Sequence, residues 1–144
     1  MSDEPFRDNG KPARVLICDD NDMIRLLLGM IVGTSRALQV VGEAGDGNEA
    51  IAEARRLQPD VITLDVAMPN LSGLDALPEL RRAAPHARII VFSGFASVHI
   101  ADEVIALGAA CYLEKGASKE TIVAAIEQAV ATTPTLAVAS TRLA

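Results

Sequence analysis

The chain has 144 residues, 50% apolar but only 3% aromatic and without Trp, which suits one domain with a core of Val, Ile, Leu and Ala. Thirteen Lys and Arg against nineteen Asp and Glu leave a formal charge of −6. No basic run exceeds the pairs Arg55-Arg56 and Arg81-Arg82, which argues against direct nucleic-acid binding.

The polar start, Met1 to about Pro12, carries Asp3, Glu4, Arg7 and Asp8 and reads as a disordered tail rather than a signal peptide. Val15–Cys18 is a first strand, followed by Asp19-Asp20. From Asn21 the period turns helical, with Ile24, Leu27, Leu28 and Ile31 at i, i+3, i+4 and i+7 and Gly33 as the C-terminal stop. Gln39–Val41 reads as a second strand. Asp46 with Glu49 starts a second helix carried by Ala50, Ile51, Ala54 and Leu57 and ended by Pro59. Val61–Leu64 is a third strand running into Asp65. Ser72 with Asp75 starts a third helix that lasts to about Ala83. Arg88–Phe92 is a fourth strand and Ser97–Leu107 a fourth helix. Ala110–Leu113 is a fifth strand, and Ser118 caps a last helix of Ile122, Val123, Ile126 and Val130 that ends before Pro134.

Five β–α units in succession imply parallel pairing with helices on both faces, an α/β three-layer domain over residues 13–132. Residues 133–144 read as a C-terminal tail or a truncated linker. No uninterrupted apolar segment reaches the roughly 18–20 residues of a membrane span. Cys18 and Cys111 are too far apart for a cysteine framework and read as two buried thiols in a reducing, cytoplasmic setting.

In an open parallel sheet, ligands bind beyond the carboxyl ends of the strands. Those ends supply Asp19 and Asp20, then Asp65, Ser93 and Lys115. Three carboxylates repel one another unless a cation or a shared proton intervenes. Mg²⁺ suits such a set, because it takes a few carboxylates and keeps open positions for phosphate oxygens. A carboxylate facing a metal-bound phosphoryl group is also a nucleophile.

The runs Cys18-Asp19-Asp20-Asn21 and Leu64-Asp65-Val66-Ala67-Met68-Pro69 with Gly73, the pair Ser93-Gly94, and Tyr112-Leu113-Glu114-Lys115 resemble the receiver domain of two-component response regulators. The resemblance runs from about Arg14 to Val130. Val41–Ala44 with Asp46-Gly47, and Lys115-Gly116-Ala117-Ser118, look most like the subfamily that carries a helix-turn-helix output domain. It implies a doubly wound, flavodoxin-like sheet of order 2-1-3-4-5. It implies Asp65 as phosphoacceptor, Asp19 and Asp20 as Mg²⁺ ligands with the Ala67 backbone carbonyl, Ser93 and Lys115 as partners of the phosphoryl group, and Ser93 with Tyr112 as switch residues.

Its implied partners are a histidine kinase or phosphotransfer protein in a phosphorelay, and an output domain or downstream protein on the face of the fourth helix, fifth strand and fifth helix. Homodimerisation on phosphorylation is compatible with it. Such a chain catalyses its own phosphorylation and slow self-dephosphorylation but acts mainly as a signalling switch. Ile100, Val104, Ile105 and Leu107 place apolar residues around more than one side of the fourth helix, so an exposed apolar strip is expected there.

This chain departs from the family where Gly116 follows Lys115 in place of the usual Pro, and where Gly94 stands for Ala. Ala67 and Phe95 hold two positions that influence dephosphorylation in the family, and neither side chain can position a water by hydrogen bonding. Taken singly, Asp19-Asp20 could be a helix cap, Asp65 a loop acid, Lys115 a surface lysine, Ser93 turn chemistry and Tyr112 a packed ring. Their joint occurrence at successive strand ends favours chemistry. His86 and His99 read as surface residues, and Asp22 as a first-turn helix charge. A phosphatase of the haloacid dehalogenase type would need an acid two residues after its nucleophile, where Ala67 stands. A phosphorylation-independent adaptor is the other alternative, and it predicts that Asp65→Asn leaves partner binding unchanged.

Overall fold

A computed structural model describes residues 10–94 and 98–131. Five strands, β1 (Ala13–Cys18), β2 (Leu38–Ala44), β3 (Val61–Asp65), β4 (Arg88–Ser93) and β5 (Cys111–Glu114), alternate with five helices. These are α1 (Asp22–Gly33), α2 (Gly47–Leu57), α3 (Gly73–Ala83), α4 (Val98–Ala106) and α5 (Lys119–Ala131). The sheet is parallel with order β2-β1-β3-β4-β5, as the resemblance implies.

Alternation along the strands divides the core. Leu16, Ile62, Leu64, Ile89 and Val91 face Ala54 of α2, Leu77 and Leu80 of α3 and Val104 of α4 in one buried cluster. Val15, Ile17, Val61, Ile90 and Phe92 join Leu28 and Val32 of α1 and Ile122 and Ile126 of α5 in the other. Both faces of the sheet are therefore dry, which explains the near-continuous apolar strands.

The helix starts follow the capping signals. Asn21 Oδ1 accepts from the N–H groups of Met23 and Ile24 at 2.8 and 3.1 Å. Asp46 accepts from Glu49 N at 2.8 Å, and Ser72 from Asp75 N at 3.2 Å. Each satisfies backbone donors that the first helical turn leaves open.

Four local expectations are corrected. β2 is longer than Gln39–Val41, because Gly42, Glu43 and Ala44 continue the ladder beside Leu16, Ile17 and Cys18. Leu27 is 51% exposed instead of core-facing. α1 is apolar almost all round, so periodicity could not choose its buried face, which Leu28, Ile31 and Val32 occupy. Gly33 is the last residue of the helix and does not take the left-handed conformation of a stop glycine; Thr34 forms the cap in a right-handed conformation. The apolar strip expected on the fourth helix is absent among the described residues: Val104 is buried, and Ile100, Ile105 and Leu107 pack partly against the core. Ser97, expected to open that helix, and the two tails lie outside the described residues.

Candidate functional site

The carboxyl ends of β1, β3, β4 and β5 lie side by side, and each delivers one polar residue to the same edge. Asp19 follows β1, with its N–H donating to Ala44 O on β2 at 3.0 Å. Asp65 closes β3 and Ser93 closes β4. Lys115 follows β5 and is tied back to Ser93 by a 2.9 Å bond from its N–H to the Ser93 carbonyl. Asp19, Asp65 and Ser93 are buried, whereas Asp20 is exposed.

The geometry is that of a compact charged cluster. Asp19, Asp20 and Asp65 can each bring a carboxylate oxygen within 4.8 Å of the others. Lys115 Nζ stands 2.9 Å from Asp19 Oδ2 and 3.2 Å from Asp65 Oδ1. Asp19 Oδ1 accepts from Asn21 N at 2.9 Å, and Asp65 Oδ1 from Ala67 N at 3.2 Å. Asp19 Oδ2 is engaged by charge rather than by an aligned hydrogen bond. Burial pushes the Asp65 carboxyl up to about 6, helped by the neighbouring Asp19 charge and opposed by Lys115. Burial pulls the Lys115 amine down, but its contacts with Asp19 and Asp65 outweigh this and hold it above the ordinary lysine value. Three carboxylates and one ammonium leave two uncompensated negative charges, and the all-oxygen donor set fits a hard divalent cation.

Tyr112 is buried, in the same cluster as Ala101 and Val104 of α4. Ala67 is exposed beside Asp65, and Phe95 lies outside the described residues. His86 and His99 are exposed, Cys18 and Cys111 are buried thiols, and Asp22 is a first-turn charge of α1. Among the described residues, no helix is long and apolar enough to cross a membrane.

Sequence reasoning missed Arg25. Its guanidinium Nη1 donates to the Asp19 backbone carbonyl at 2.6 Å, its Nε to Glu43 at 3.0 Å, and its Nη2 to Asp22. It joins α1, β2 and the acidic loop at one point. The available signal was a lone cation within an apolar helix, but its key bond is to a backbone carbonyl, which no side-chain pattern displays. The loop after β3 is fixed in a similar way: Asn70, in a left-handed conformation at φ 67°, donates from Nδ2 to Asp46 at 2.9 Å.

The sequence pattern described as "response regulator receiver domain" matches residues 15–127. The chain belongs to this family. It is 40% identical over 125 residues to the nitrate/nitrite response regulator protein NarL of Escherichia coli, covering 85% of this chain and 57% of that protein. It is 36% identical over 115 residues to the chemotaxis protein CheY of Thermotoga maritima, covering 80% of this chain and 95% of that one. The chain therefore spans little more than half of a NarL-type regulator and nearly all of a CheY. A response regulator from Burkholderia pseudomallei, solved with a phosphorylated aspartic acid, calcium ion and citrate, is 32% identical with a TM-score of 0.73, covering 82% of this chain and 68% of that one.

Proposed function

We propose that this receiver takes a phosphoryl group from a histidine kinase or phosphotransfer protein onto Asp65, and thereby switches an output domain or partner protein. The observation that carries the reading is the buried Asp65 carboxylate, held 3.2 Å from Lys115 and clustered with Asp19 and Asp20. An Asp65 oxygen forms the new P–O bond as the P–N bond to the donor imidazole breaks, and the imidazole leaves with the electron pair. Lys115 then faces an acyl phosphate, and the Ser93 hydroxyl donates a hydrogen bond to a phosphoryl oxygen. Asp19, Asp20 and Asp65, with the Ala67 carbonyl, would hold Mg²⁺, which when bound offsets the carboxylate charge and that of the transferring oxygens. Ser93 and Tyr112 couple the event to the face of α4, β5 and α5. Taking an inactive-to-active ratio from 99:1 to 1:99 needs about 5.5 kcal/mol of differential interaction, which a few charge-assisted hydrogen bonds supply.

The test is intact-mass spectrometry after incubation with acetyl phosphate and Mg²⁺, with Asp65→Asn as control. One added phosphoryl group that requires Mg²⁺ and vanishes in the variant is the expected result. Absence of an adduct, with beryllofluoride also failing to bind, would replace this reading with that of an adaptor acting through its unmodified surface.

Two further results are expected. Arg25→Ala removes the tether on the Asp19 carbonyl, so Mg²⁺ affinity falls by about 10-fold, the scale of a lost supporting contact. Calorimetric titration with Mg²⁺ measures it, and unchanged affinity in a folded variant would show that the loop needs no tether. Self-dephosphorylation is slow, because neither Ala67 nor Phe95 can orient an attacking water. The phosphoryl half-life of the wild type should exceed that of an Ala67→Asn, Phe95→Glu variant, and an equal or shorter half-life would count against this.

A further inference from the structure

The two arginine pairs, Arg55-Arg56 and Arg81-Arg82, close α2 and α3 in the same way. Each ends a Glu-x-Arg-Arg run, Glu53–Arg56 and Glu79–Arg82, one residue short of its helix end. Far apart in the chain, the two runs meet at the amino-end edge of the sheet, opposite the Asp65 cluster. Gln58, the left-handed cap of α2 at φ 48°, donates from Nε2 at 2.8 Å to the carbonyl of Ala83, the last residue of α3. Arg14 near the start of β1 and Arg88 at the start of β4 stand at the same edge. Six arginines thus gather with three carboxylates, Glu53, Asp60 and Glu79, in a chain whose formal charge is −6.

Four of the six are engaged within the fold. Arg14 Nη1 donates to Leu57 O at 2.7 Å and Gln58 O at 2.9 Å, and buried Arg88 donates from Nη1 to His86 O at 2.9 Å. Arg56 pairs with Glu53 at 2.6 Å, and Arg82 pairs with Glu79. Arg55 and Arg81 are exposed, and among the described residues no carboxylate pairs with either. A cation near a helix C-terminus is ordinarily accounted for by the helix dipole. Here Arg14 already holds the last carbonyls of α2, and Gln58 holds that of Ala83, so neither end needs a further donor.

Arg55 and Arg81 are each third from the end of their helices, and neighbouring helix axes lie about 10 Å apart. Arg81 is also held in place. Its side chain lies across Gly108 in the turn before β5, where a Cβ would come 2.5 Å from Cδ and 2.6 Å from Nε and Nη1. A charge fixed in advance loses little freedom when it binds. The guanidinium fork suits a carboxylate, which it grips through two parallel hydrogen bonds.

We propose that this edge, where α2 and α3 end, is a docking surface for an acidic segment of a partner protein, with Arg55 and Arg81 as the two contact cations. Their spacing matches carboxylates two turns apart on a helix, at i and i+7, which lie about 10 Å apart. A protein segment fits better than a nucleic acid, because a continuous row of phosphates would also meet Glu53, Glu79 and the acidic remainder of the chain. The surface lies at the far end of the strands from Asp65, so docking there is independent of any phosphoryl group.

The test is fluorescence anisotropy of the full chain with a labelled helical peptide carrying Glu at i and i+7, compared with its Gln analogue. The Glu peptide should bind in preference, with an affinity that falls as salt rises. Arg55→Glu combined with Arg81→Glu should weaken it about 10-fold. Circular dichroism confirms folding, and Arg55→Gln with Arg81→Gln serves if the charge reversal disturbs it. Arg36→Glu makes the same change at an exposed arginine past α1 and should stay within about 2-fold of wild type. Asp65→Asn should bind as the wild type does, so the outcome does not depend on phosphorylation of Asp65. Equal affinity for the two peptides, or a loss in Arg36→Glu as large as in Arg81→Glu, would overturn the proposal. So would loss of binding in Asp65→Asn, which would place the peptide at the opposite edge. A DNA duplex that binds through Arg55 and Arg81 more tightly than the peptide would also overturn it, since the face then belongs to nucleic acid.

Discussion

Asp65→Asn should raise the stability of the metal-free protein at pH 7 by about 1–3 kcal/mol, a gain of several degrees in melting temperature. The Asp65 carboxylate is only 3% exposed and faces Asp19, and its pKa is pushed up to about 6 from an ordinary 3.8. At roughly 1.4 kcal/mol for each pH unit, that difference sets a ceiling near 3 kcal/mol, which local relaxation and the lost Lys115 contact reduce. The sign follows from proton binding. The folded state holds the Asp65 proton more tightly than the unfolded chain, so this stabilisation is full below about pH 4. It is lost as pH rises to about 6 and stays lost above it. Urea unfolding in EDTA at pH 4.5 and 7.5 measures the difference between wild type and variant. A variant no more stable than wild type at pH 7.5 would mean that Lys115 and the backbone N–H of Ala67 compensate the buried charge fully. Added Mg²⁺ should stabilise the wild type in proportion to its occupancy, and the variant less, because the variant has lost one of the carboxylates that attract the cation.

The site was legible in the sequence because of where its residues stand. Asp19, Asp65, Ser93 and Lys115 each close a short apolar run, and in a parallel sheet those closures meet at one edge. The strands were legible for a related reason: burial on both faces makes Ile89-Ile90-Val91-Phe92 apolar throughout. What escaped was decided by contacts that leave no periodic trace. Leu27 and Leu28 are the same residue type on adjacent positions, and only the placement of α1 against β1 and α5 turns one inward and the other to solvent. Gly42 and Glu43 fall just past the strand read as Gln39–Val41, but pairing with Leu16 and Ile17 draws them into β2. Arg25 acts through a peptide carbonyl, and Asn70 through the cap of a different helix. Tertiary context chose each of these outcomes from several that the local sequence allowed.

Gly73→Ala should be far more damaging than its size suggests, costing about 2–4 kcal/mol and slowing phosphorylation in the fraction that folds. A Cβ at Gly73 would lie 2.1 Å from the Asp65 carbonyl oxygen, 2.9 Å from its carbon and 3.0 Å from Val66 Cα. These are backbone atoms at the end of β3, so no side-chain rotation can relieve the clash. The N–H of Gly73 also donates to the Val66 carbonyl at 2.9 Å, and the Val66 N–H to Phe92 O at 3.1 Å. Pushing α3 away strains this chain of bonds and displaces the peptide that carries Asp65. The Asp65 carboxylate would shift against Lys115 and Asp19, and the phosphoryl transfer proposed for it is sensitive to such displacement because alignment does most of the work. Gly94→Ala is the matched control: among the described residues nothing lies within 4 Å of its Cβ, its φ is not positive, and it should stay within about 0.5 kcal/mol of wild type. Urea unfolding of the two variants, with acetyl phosphate uptake followed by mass, compares them directly. Equal stability of the two would show that α3 can retreat freely from β3. The close approach of Gly73 would then be dispensable for holding Asp65 in place.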